Sequence, residues 1–183
     1  MAVESTMVEL GTPAPDFELS DLTGTRHRLS GHAGSPALVM FICNHCPYVQ
    51  HVERPLAALV AEYQDRGVVA FGVMSNDTDR SPDDGPAGLA EQAERAGFSF
   101  PYLIDGDQSV GRAYRAACTP DFFVYDADHR LAYRGRMDAA TPGNDQPNDG
   151  AELRAALDAV LAGEPAPEPQ RPSMGCSIKW REA

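Results

Sequence analysis

Short, nearly unbroken apolar runs alternate along the chain with longer segments whose apolar residues recur every three or four positions. Residues 37–42 (ALVMFI) are apolar throughout and end directly at Cys43, the pattern of a central strand covered on both faces. After Pro47, Val49, Val52, Leu56, Leu59, Val60 and Tyr63 share one helical face, which predicts a helix to about Gly67. Pro55 should kink or restart it. Residues 68–74 (VVAFGVM) repeat the buried-strand pattern, so strand, helix and strand make a βαβ unit. Upstream, residues 17–19 and 26–29 flank the turn-forming Asp21 to Gly24 and read as a hairpin.

Residues 76–88 (NDTDRSPDDGPAG) lack apolar periodicity and read as an exposed loop. Helices are expected over 89–96, stopped by Gly97, and over 108–117, with a short strand at 102–104 between them. Residues 121–125 (DFFVY) and 131–136 (LAYRGR) are strands joined by a tight polar turn, and the amphipathic 152–161 closes the unit. Residues 164–172 (EPAPEPQRP) form an extended proline-rich spacer. The tail beyond it carries Cys176, Ile178 and the single Trp180, as expected of a docked arm. The predicted architecture is α/β, with a central mixed sheet flanked by helices, an N-terminal hairpin and an extended C-terminal arm. One unit spans residues 8–162, and spacer and tail span 163–183.

Charge narrows the partners. With 15 Lys+Arg against 27 Asp+Glu, the formal charge is -12, so phosphate backbones and anionic membrane surfaces repel the chain. Nucleic acid is not an expected partner, and no apolar stretch is long enough for a membrane span. Glu4 and Glu9 in an opening segment with no basic start or apolar run place the protein in the cytosol. Four cysteines in a reducing compartment are poor material for a disulfide framework, which leaves reactivity or metal binding.

Cys43-Asn44-His45-Cys46-Pro47 is the local motif they form. At a strand-to-helix junction the first thiol meets unsatisfied amides and the helix dipole, so Cys43 is expected to hold the lower pKa and act as nucleophile. Cys46, one turn on and more enclosed, resolves the mixed disulfide. His45, when protonated, tunes the thiolate, although an isolated histidine in a loop is often inert. Such a pair is also half of a zinc site, but Cys118 and Cys176 stand apart and no metal or other cofactor is expected. Cys118 reads as a small buried hydrophobe and Cys176 as a possible third thiol, with a tail packed by Ile178 and Trp180 as the alternative. Thr119-Pro120, just before the DFFVY strand, would present a backbone edge to an extended substrate through a cis bond.

These residues resemble the thioredoxin fold, and within it the peroxiredoxin-like redoxin family grouped with alkyl hydroperoxide reductase and thiol-specific antioxidant proteins. Gly11-Thr-Pro-Ala-Pro-Asp-Phe17 with Asp21-Leu-Thr-Gly24 resembles that family's opening hairpin, Cys43-Asn-His-Cys46 the redox pair, and Thr119-Pro120 the cis-proline loop. The tail Gly175-Cys-Ser-Ile-Lys-Trp180 is similar to an extension in one peroxiredoxin-like subgroup. The resemblance implies a thiol-disulfide oxidoreductase whose partners are protein or small-molecule disulfides and a thiol reductant. A thiol peroxidase is the runner-up, although with Cys43 as peroxidatic thiol Met40 stands where the hydroxyl belongs, with Cys46 in that role Val39 and Cys43 stand where the proline and the hydroxyl belong, and Thr119-Pro120 fills the place of the arginine. A redox sensor without turnover is the third reading. No carboxylate stands in residues 37–42, so the acid expected beneath the pair is missing from that strand.

Overall fold

A computed structural model describes residues 1–183. In chain order the elements are β1 (Ala2–Glu4), β2 (Glu18–Ser20), β3 (Arg26–Arg28), β4 (Ala37–Phe41), α1 (Pro47–Asp65), β5 (Val69–Met74) and α2 (Pro86–Ala96). There follow β6 (Tyr102–Ile104), α3 (Ser109–Ala113), β7 (Cys118–Thr119), β8 (Asp121–Tyr125), β9 (Leu131–Gly135), α4 (Ala151–Leu161) and β10 (Met174–Ser177). Five strands in the order β6-β5-β4-β8-β9 make the central sheet. β4, β5 and β6 run parallel, whereas β8 is antiparallel to β4 and β9 antiparallel to β8.

The apolar run of β4 is buried on both faces, as its composition requires. Leu38 and Met40 pack with Val49 and Leu56 of α1 and Leu153 and Leu157 of α4. Val39 and Phe41 point the other way, toward Phe17, Val110 and Tyr114. The hairpin pairs β2 with β3, Leu19 opposite His27.

Pro55 neither ends nor restarts α1. A proline leaves the carbonyl four residues earlier without its helical donor. That carbonyl, on His51, receives the Asn148 side-chain amide at 2.7 Å instead. Two other expectations are corrected. The helix foreseen over 108–117 is confined to α3, because Gln108 (φ 64°) and Arg115 (φ 55°) turn left-handed on either side of it. The loop at 76–88 is not exposed throughout: Asn76, Asp77, Ser81 and Asp84 are buried, their polar groups engaged in hydrogen bonds.

The arm docks as a strand. β10 lies between β1 and β7 in a second, antiparallel sheet, with Cys176 opposite Thr119 and Ser177 opposite Cys118. Ile178 buries against the Phe41 side of the core, and Arg112 lies 4.6 Å from the centre of the Trp180 ring. Lys179 is held by its backbone: its N–H donates to Asn76 Oδ1 at 2.8 Å and its carbonyl accepts the Gln108 side chain at 2.8 Å. Only glycine fits at position 175, where a Cβ would lie 1.9 Å from the Thr119 carbonyl oxygen.

Candidate active site

β4 delivers Cys43 to the end of the sheet, and the chain then turns into α1. The residue that caps α1 is Cys46, followed by Pro47 at the first helical position. The helix mouth expected to face Cys43 therefore faces Cys46. Both thiols are fully buried and free. Cys43 Sγ lies 3.3 Å from Thr119 Oγ1 and 3.7 Å from His45 Nδ1, and Cys46 Sγ lies 3.2 Å from the Thr119 carbonyl oxygen.

The two sulfurs titrate as a unit. Cys46 is held well below the ordinary thiol value by the hydrogen bond from Cys43, against burial, with further help from Cys176 and the Val49 amide in the first turn of α1. The same bond pushes Cys43 up, as do burial and the negative charge of Asp84. These directions favour negative charge on Cys46, whereas the sequence reading put the lower pKa on Cys43.

Asp84 supplies the carboxylate that β4 lacks. It is wholly buried, and its Oδ1 accepts the backbone amides of Asn44 at 2.7 Å and His45 at 3.1 Å. Its Oδ2 accepts His45 Nδ1 at 2.5 Å and Asn76 Nδ2 at 2.9 Å. Burial pushes Asp84 up, but the bonds from His45 and Asn76 outweigh it and hold the carboxyl below its ordinary range. The bond to Asp84 raises His45 in turn, against the cost of partial burial. Asn44 braces the turn: its side chain donates to the Asp83 carbonyl at 2.9 Å and accepts Arg95 Nη2 at 2.7 Å. Behind Cys43, Gln92 donates to the Cys43 carbonyl at 2.9 Å and accepts the Tyr102 hydroxyl at 2.7 Å, with Glu53 beside it at 3.3 Å.

Sequence reasoning missed Asp84, Gln92 and Glu53, because each is a polar residue buried by partners remote in the chain. The one local signal was Asp84 in the turn just ahead of α2, in the segment read as solvent-exposed.

Thr119-Pro120 is cis, as foreseen. The edge beside it is not free, because the chain's own β10 pairs there, carried in by the burial of Ile178. Cys176 packs against the core that holds the pair and lies opposite Thr119 in the strand register, the residue whose carbonyl meets Cys46 Sγ. Cys118 is buried, its thiol directed at the Pro120 carbonyl at 3.6 Å, and burial raises its pKa strongly. The donor atoms of Cys43, His45 and Asp84 lie within 4.8 Å of one another, close enough to share a metal ion. His45 Nδ1 is already committed to Asp84, so a metal would have to break that pair. A cleft of about 380 Å³ reaches Pro120 of the cis step and is lined also by Tyr48, Val52, Phe122, Arg136 and Met174, with none of the four cysteines in its wall.

The AhpC/TSA family profile matches residues 10–134, which take in the hairpin, both thiols and the cis-proline step. The chain belongs to the AhpC/TSA family. Among curated relatives, the thiol-disulfide oxidoreductase ResA of Geobacillus thermodenitrificans is 30% identical over 128 residues, 70% of each chain. A crystal structure of an uncharacterized conserved protein from Geobacillus kaustophilus matches with a TM-score of 0.96 at 46% identity, covering 100% of this chain and 98% of that one. A secreted Mycobacterium tuberculosis disulfide oxidoreductase shares the fold, with a TM-score of 0.62 at 20% identity over 78% of this chain and 95% of that one. The architecture is thioredoxin-like, and this family member is an oxidoreductase of the thiol-disulfide type. No helix is long and apolar enough to cross a membrane.

Proposed function

We propose that the protein exchanges disulfides through Cys43 and Cys46, which alternate between a dithiol sharing one proton and an internal disulfide. The observation that carries this reading is the placement of two buried thiols one turn apart against a single residue, Thr119, at the cis Thr119-Pro120 step, with Cys46 capping α1. A disulfide substrate takes a thiolate of the pair to form a mixed disulfide, and the other sulfur displaces it, so the substrate leaves as two thiols. Thr119 contacts both sulfurs, through its hydroxyl at 3.3 Å and its carbonyl at 3.2 Å, and keeps them in register. His45, kept protonated to higher pH by Asp84, places positive charge beside Cys43 and favours electron density arriving there.

The substrates in this proposal are protein or small-molecule disulfides approaching by the cleft at Pro120, and an external thiol reductant resets the pair. The cytosol is the proposed setting, and cell fractionation tests it. Turnover is tested by reduction of insulin disulfides under a thiol reductant. Cys43→Ser and Cys46→Ser should each reduce the rate to background, and wild-type rates in either variant would refute the assignment. Steady consumption of hydrogen peroxide with the same reductant would favour the peroxidase reading.

A further inference from the structure

Cys43, Cys46 and Cys118 are buried, and Cys176 is the one cysteine with partial exposure. It reaches the pair through β10, which occupies the backbone edge at Cys118–Thr119 where an extended substrate would pair. Gly175 allows the approach, because a side chain there would collide with the Thr119 carbonyl, the group that also meets Cys46 Sγ. The strand is held on both sides: Ser177 N–H donates to the Met1 carbonyl at 3.1 Å and Ile178 N–H to the Ala117 carbonyl at 3.2 Å.

We propose that Cys176 is a third exchanging thiol, which takes electrons from the buried pair and delivers them to disulfides outside. The proposal rests on the disulfide-exchange reading above and says how an enclosed pair reaches its substrate.

The steps balance without a further reagent. In the first, Cys176 sulfur attacks the substrate R–S–S–R, its proton passes to the Cys46 thiolate, and RS⁻ departs, leaving Cys176–S–S–R. In the second, Cys46 sulfur attacks Cys176 sulfur; the Cys176–SR bond breaks, RSH leaves with the Cys46 proton, and a Cys46–Cys176 disulfide forms. In the third, Cys43 sulfur attacks Cys46, the Cys46–Cys176 bond breaks, and the Cys43 proton moves to Cys176. The sum is two electrons from the Cys43–Cys46 dithiol to the substrate, with Cys176 restored as a thiol. Cys176 is protonated at rest, pushed up to about 11 by burial and by the Cys46 charge, so the adjacent Cys46 thiolate is the base that activates it. Lys179 and the N-terminal ammonium offset part of that rise.

The full chain bearing Cys43→Ser lacks the third step, so it should accumulate a Cys46–Cys176 disulfide when mixed with oxidised glutathione, as read by peptide mass mapping. Glutathione held on Cys46 with Cys176 free would overturn the proposal. Cys176→Ser should slow insulin reduction at least about tenfold, because access and not chemistry then limits exchange; an unchanged rate would overturn it equally. Circular dichroism and melting of the Cys176→Ser chain check that it folds, and the Cys43→Ser trap leaves the arm untouched. Wild-type protein in the same glutathione buffer separates the two levels. A Cys43–Cys46 disulfide there with no Cys46–Cys176 species in the trap removes the relay alone, whereas its absence removes the exchange reading itself.

Discussion

Asp84 shows how one buried side chain sets the state of its neighbours. Four donors saturate its two oxygens, so the carboxylate stays charged although no part of it meets solvent. Asp84→Asn removes the charge and leaves the Asn76 amide without an anionic acceptor. Loss of charge-assisted hydrogen bonds of this kind costs about 2 kcal/mol. The pH dependence has two edges. His45 is raised in the folded state, so its contribution is complete below its unfolded value and is lost as pH rises through the higher folded one. Asp84 is lowered, so its contribution is present above its unfolded value and is lost as pH falls through the lower folded one. Denaturant midpoints of wild type and Asp84→Asn should differ most between these edges. NMR titration of the His45 ring should show a lower pKa in the variant. An unmoved His45 titration would mean that the bond to Asp84 does not hold the proton.

At the scale of elements, β4, β5 and α1 were legible because their apolar spacing reports burial directly. Thr119-Pro120 was legible from its place ahead of the DFFVY strand. β1 and β10 were not, since three- and four-residue strands gain their identity from partners at the far end of the chain. Tail docking was nonetheless expected from Ile178 and Trp180. The start of α1 after Pro47 was legible too, but the thiol at its cap is Cys46 and not Cys43, which the sequence reading placed at the helix N-terminus. Gly175→Ala tests the docked strand. The new Cβ must displace either β10 or the Thr119 carbonyl, so we expect a stability loss of about 1–3 kcal/mol. Faster maleimide labelling of Cys176 and Cys46 should accompany it. Wild-type stability and labelling would show that β10 does not press on Thr119.

Over the whole molecule, the second sheet ties both chain ends to the redox face, and Asp121 sits at that junction. This fully buried acid accepts the Ser5 hydroxyl at 2.8 Å, and burial raises it to about 7. A raised carboxyl favours the fold most below its unfolded value, near 3.8, and this advantage is lost as pH rises through the folded value of about 7. Thermal midpoints should therefore carry a downward component between these limits, worth on the order of a few kcal/mol. Asp121→Asn should remove that component, and an identical pH profile in the variant would contradict it. Hydropathy alone could not reveal Asp121 as a buried acid, because it opens an apolar strand and its partner Ser5 lies at the other end of the sequence.

The exchange mechanism requires Cys43 and Cys46 to form one redox unit. Its most direct test is equilibration of the full chain in glutathione buffers of graded ratio, with acid quenching and mass mapping of every cysteine. One two-electron transition between the dithiol and a Cys43–Cys46 disulfide is the predicted result. A folded chain that stays reduced at every ratio, or collects glutathione on single cysteines without ever joining these two, would contradict it.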